Sequence, residues 1–105
     1  MAFADNLQQL PSIAHLSGLQ LRDASGALVA SLENKPGQAG SVAVYAALAE
    51  RFGHITPEAA AEGVRLYAEH SEDARLNAGK HPNIDRLFGL IATGTSLWVT
   101  VLPKA

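Results

Sequence analysis

Residues 19–33 read LQLRDASGALVASLE, and the fold turns on them. Leu19 and Leu21 alternate with Gln20 and Arg22, the two-residue period of a strand with one buried face. Asp23-Ala24-Ser25-Gly26 then breaks the alternation. The Asp23 carboxylate can bond the backbone two residues on, and Gly26 can take the positive φ that closes a tight turn. The strand pattern resumes in ALVASLE, so the segment is a β-hairpin. A hairpin alone is marginal in water and needs a third strand. Residues 95–102 supply it, with Leu97, Val99 and Val101 on one face and Trp98, Thr100 and Leu102 on the other.

Helices fill the rest. Phe3, Leu7 and Leu10 make a helical stripe that Pro11 interrupts, with a bent continuation expected through Ile13 and Leu16. The loop NKPGQAGS, residues 34–41, ends in Ser41, expected to cap a helix reaching about Phe52 with Tyr45, Leu48, Ala49 and Phe52 on its apolar face. Gly53 suits its end. Thr56-Pro57-Glu58 is the clearest helix start in the chain: a cap, a proline at the first position and an acid at the positive end of the dipole. That helix is expected to carry Gly63, Leu66, Tyr67, His70 and Ala74 on one side and Glu58, Glu62, Arg65 and Glu69 on the other. Gly79 and Pro82 end it, Asn83 is expected to cap again, and Ile84, Leu87, Phe88 and Ile91 form the stripe of a last helix stopped by Gly94. The class is therefore α+β: an N-terminal helix, a hairpin, three helices and a C-terminal strand. They build a three-stranded antiparallel or mixed sheet covered by helices on one face.

A chain of 105 residues is expected to form a single domain, residues 1–105, because either half would be too small to bury a core of its own. Its net charge of −2 carries no basic stripe, so nucleic acid is not an expected partner. There is no cysteine, which removes disulfides and thiolate chemistry. MAFADNLQQLP has neither the basic start nor the apolar stretch of a secretory leader, and no apolar run of 18 residues occurs, so the expectation is a cytoplasmic protein with no membrane partner. The sheet keeps open edges, and homodimerisation through an edge or the Trp98 face is expected to manage them.

Chemistry concentrates in two places. Residues 68–86, AEHSEDARLNAGKHPNIDR, hold two of the four histidines. His70 falls on the apolar side of its helix, where a ring is usually satisfied by backbone or a carboxylate; Asp73, at i+3, is a candidate to orient it for proton transfer. In GKHPNID the proline forces His81 out of helical conformation and presents it from a stiff loop before a helix start, where Asn83 and Asp85 also have ordinary capping roles. The second place is NKPGQAGS, where Lys35 and the amides of a helix amino end would receive an anion, although the order of residues is not that of a P-loop and a plain connecting turn with Ser41 as cap is the more ordinary explanation. No metal or other cofactor is expected. Were a metal bound, the set would be His70, His81 and Asp85 with Asp73 in reserve, a spacing unlike any metal signature. Ser71 points away from His70 on a helix, and no GxSxG elbow exists, so nucleophilic hydrolysis finds no support.

The expectation is a non-catalytic binding or regulatory protein recognising an anionic small molecule or a protein partner through Lys35, Gln38, Gly40, Ser41, His70, Lys80, His81, Asp85 and Arg86. The catalytic alternative uses His70 and His81 as acid and base, with Asp73 or Asp85 orienting a ring and Lys35, Lys80 or Arg86 holding substrate. A third alternative is an assembly subunit that docks by its sheet edge. The geometry that separates these readings is whether His70, His81 and the 35–41 loop meet on one concave surface.

The segments LQLRDASGALVASL, NKPGQAGS, YAEHSEDAR and GKHPNIDRL together resemble a family of short bacterial proteins of unknown function, over nearly the whole chain. The resemblance implies a stand-alone intracellular bacterial protein. It implies no reaction and assigns no site.

Overall fold

In the hairpin, Leu19 lies opposite Leu32 and Leu21 opposite Ala30, which puts Leu19, Leu21 and Leu32 on one buried face. A computed structural model describes residues 2–105 and shows β1 (Leu16–Arg22) and β2 (Leu28–Glu33) joined by the expected turn. Asp23 Oδ1 accepts from the Ser25 amide at 2.9 Å, the Ser25 hydroxyl at 2.6 Å and the Ala27 amide at 3.1 Å, and Gly26 takes a φ of +88°. These donors hold the Asp23 carboxyl below the usual carboxylate range, the Ser25 hydroxyl first among them. β3 (Trp98–Pro103) returns to the other side of β1, with Leu19 opposite Val101 and Leu21 opposite Val99. The sheet order is β2-β1-β3 and every pairing is antiparallel. The fold is α+β.

Five helices pack around the sheet: α1 (Phe3–Gln8), α2 (Ala39–Phe52), α3 (Pro57–Tyr67), α4 (Glu69–Leu76) and α5 (Pro82–Thr93). Thr56 caps α3 as expected, its Oγ1 accepting from the Ala59 amide at 3.0 Å with Pro57 in the first turn. Gly53 and Gly94 close α2 and α5 with positive φ. Leu19, Leu21, Tyr45, Leu48, Ile55 and Leu87 are the heart of a single apolar cluster, and burying such side chains contributes about 1.5–3 kcal/mol each. Among the described residues no helix is long and apolar enough to cross a membrane.

Several boundaries differ from those the sequence suggests. Ile13 and Leu16 do not continue the first helix: Leu16 opens β1, and Asn34 Nδ2 ties down this corner by donating to the carbonyls of Ile13 and Leu16. Ser41 does not cap α2. The helix begins at Ala39, with Gln38 at the cap position three residues before Ser41. The helix expected to run from Pro57 through Ala74 is two helices, broken at Ala68, whose φ is +52°. At the break, the carbonyls of Val64 and Leu66 accept side-chain hydrogens, from Ser71 Oγ at 2.6 Å and Asn6 Nδ2 at 2.9 Å. Asn83 is not the cap of α5 either. His81 holds that position and Pro82 the first turn, so Asn83 lies within the helix. Leu90 replaces Ile91 in the buried stripe, leaving Ile91 exposed. Leu97 lies outside β3 but forms a two-way backbone bridge to Ile55.

Candidate functional site

All five helices bring side chains or backbone to one cleft of about 420 Å³. α1 contributes Phe3 and Leu7, the first turn of α2 contributes Ala39 to Ser41, Tyr67 ends α3, His70 stands on α4, and Lys80 to Ile84 lead into α5. The amino end of α1 is held against α4 because Glu69 Oε1 accepts from the Phe3 amide at 2.8 Å. Phe3 then stacks on Tyr67, centroids 5.1 Å apart and planes 20° apart, and meets His70 edge-on at 5.1 Å. Gly40 leaves room for the ring: a Cβ there would stand 3.2 Å from Phe3, a tight contact.

His70 and His81 converge. Their ring centroids are 5.7 Å apart, tilted by 48°, and both rings line the cleft. The carboxylate that orients an imidazole is Asp73, and it orients His81 rather than His70: His81 Nε2 lies 2.6 Å from Asp73 Oδ2. Lys80 Nζ reaches the same oxygen at 3.1 Å, and Asn77 Nδ2 donates to Oδ1 at 2.9 Å. With His81 as the principal donor and Lys80 next, the Asp73 carboxyl is held down to about 2. No described residue bonds either ring nitrogen of His70.

Backbone donors point the same way. The amides of Gly40, Ser41 and Asn83 have no acceptor among the described residues, and all three residues line the cleft. They belong to the amino ends of α2 and α5, where amides are left over by helix geometry and the dipole is positive. Tyr67 donates its phenolic hydrogen to Ser41 Oγ at 2.6 Å, and burial pushes the phenol's pKa up, so it stays a donor.

Gly40, Ser41, His70, Lys80 and His81 thus meet at the cleft. The other four candidates are not among its lining residues and have partners of their own. Lys35 pairs with Glu33 at 3.5 Å, Gln38 accepts from the Glu33 amide, Asp85 accepts from the Gly79 amide, and Arg86 donates to the Tyr45 hydroxyl and Asn83 Oδ1. Asp85 therefore does not join the two histidines, and no group of three His, Asp or Glu suited to a metal ion forms among the described residues. Phe3, Leu7 and Tyr67 read as core positions in the sequence, and only tertiary docking makes them a wall. A family model for uncharacterised proteins conserved in bacteria, DUF2322, matches residues 3–101. The chain belongs to this family. The DUF2322 match takes in every residue of the cleft. No curated protein and no solved structure matches the chain.

Proposed function

We propose that this DUF2322 protein binds a small organic anion in the cleft between α1, α2, α4 and α5. The observation that carries the reading is the convergence of three unpaired amides, from two helix amino ends, with two imidazoles on one concavity. Such amides form charge-assisted bonds to carboxylate or phosphate without any side chain having to be desolvated. The Phe3–Tyr67 stack and Leu7 offer the apolar wall that would bury the rest of a ligand. Thermal melts against carboxylates and phosphate esters test this, because a ligand at 100 times its Kd adds about 2.7 kcal/mol. A rise with at least one anion, which His81→Ala abolishes when each protein is compared with its own unliganded melt, is the expected result. A panel that leaves the melt unmoved throughout overturns it.

The 2.6 Å contact between Asp73 and His81 favours a second reading, proton transfer to or from the bound molecule, in which Asp73 orients the ring. Turnover of any bound anion that His81→Ala eliminates would establish it. Turnover that survives this substitution would end it.

The open edge of β3 supports self-association as the third element of this reading. Residues 98–103 carry no charged side chain to discourage strand addition, and Trp98, stacked on His54 at 4.7 Å, stays 43% exposed. A purely monomeric mass at micromolar concentration removes this proposal.

A further inference from the structure

The hydrogen bonds around Asp73 constrain what the cleft can accept. An ionised carboxylate only accepts, and Asp73 receives Lys80 Nζ and His81 Nε2 at one oxygen and Asn77 at the other. Nε2 of His81 therefore carries a hydrogen, and a neutral ring then has its lone pair on Nδ1. No described residue bonds that nitrogen. The same contacts set the ammonium of Lys80 against the Asp73 carboxylate, so the two charges largely offset one another. Ser41 Oγ already receives the hydrogen of Tyr67, which leaves its own hydrogen to donate. His70 has no partner that fixes a tautomer. The cleft thus presents a group of donors beside an imidazole acceptor held in place, Nδ1 of His81.

We infer that the ligand is a hydroxylated organic anion, a hydroxycarboxylate or a phosphorylated polyol, whose hydroxyl donates to Nδ1 of His81 while its anionic group takes the donors of Gly40, Ser41 and Asn83. Asp73 is the positioning residue that keeps Nδ1 available. This inference rests on the anion-binding reading above and narrows it to molecules carrying both groups. A simple anion leaves Nδ1 without a donor, and an unmet buried acceptor weakens binding.

Calorimetric titration with two matched pairs tests it: phenyllactate against 3-phenylpropionate, and glycerol 3-phosphate against propyl phosphate. In at least one pair the hydroxylated member binds about tenfold tighter or more at about pH 8. Asp73→Asn, whose amide can donate to Nε2 as well as accept from it, lowers that preference below about threefold and leaves the affinity of the simple anion within about twofold. Nitrogen NMR of the unsubstituted protein gives a readout that needs no variant, with hydrogen on Nε2 of the neutral His81 ring. Equal affinity within both pairs, or a neutral ring with its hydrogen on Nδ1, overturns the inference and leaves anion binding standing. Failure of all four compounds to bind overturns the anion-binding reading, and the inference falls with it.

Discussion

Tyr67 and Ser41 share a 2.6 Å hydrogen bond that ties the end of α3 to the first turn of α2 on the wall of the cleft. The bond runs from the buried Tyr67 hydroxyl to Ser41 Oγ. Removing either partner therefore has a different effect. Tyr67→Phe loses one hydrogen bond, about 1 kcal/mol. Ser41→Ala strands a buried phenol, which costs about 1–3 kcal/mol. Urea unfolding should give a lower midpoint for Ser41→Ala than for Tyr67→Phe, and the reverse order would contradict the assigned direction.

Two glycines sit where a side chain does not fit. A Cβ on Gly18 would collide with the carbonyl oxygen of Leu32, part of the backbone of β2. A Cβ on Gly63 would lie 2.7 Å from Leu87 Cδ1 and 2.9 Å from Leu48 Cδ1, both buried. Overpacking costs about 1–3 kcal/mol, and alanine returns up to about 1 kcal/mol of helix propensity at position 63. Gly63→Ala should lower the melting temperature modestly, and Gly18→Ala more, because backbone cannot repack as a leucine methyl can.

Ala68 holds a backbone conformation that suits glycine, φ +52° and ψ −117°. Ala68→Gly removes this strain and gives back part of the gain through a freer unfolded chain. A net stabilisation of about 0.5–1 kcal/mol is expected from denaturant melts. A destabilised variant would show that the break between α3 and α4 is not strained.

Asp73 links stability to acid. Its folded pKa of about 2 lies below the ordinary 3.8, so the folded protein favours the ionised form. That stabilisation is fully present above 3.8 and is lost as pH falls through about 2. The stability gap between the unsubstituted protein and Asp73→Asn should be steady at neutral pH and close between these two values. A gap that widens on acidification contradicts the assignment.

What could be read from sequence was whatever is decided locally. The Asp23–Gly26 turn, the Thr56–Pro57 start and the Gly94 stop each depend on a few adjacent residues, and each stands where expected. The long helix expected through Tyr67 and His70 is broken at Ala68, where the Leu66 carbonyl bonds Asn6, sixty positions earlier in the chain, a contact no local pattern announces. Asp73 lies at helical spacing from His70, yet it faces His81 eight residues on, across a loop whose course no periodicity describes. In KHPNID, the proline did mark where an imidazole is held stiffly before a helix. The cleft wall was invisible, since Phe3 meets Tyr67 and His70 only once α1 docks on α4.

The bond from the Phe3 amide to Glu69 has a practical side. It makes a wall of the cleft out of the third residue of the chain. A purification tag or reporter fused at the amino end is separated from this wall by only a residue or two of sequence, and a histidine tag there would bring further imidazoles within reach of His70 and His81. Measurements of binding are best made with the carboxyl end carrying the tag and the amino end left native.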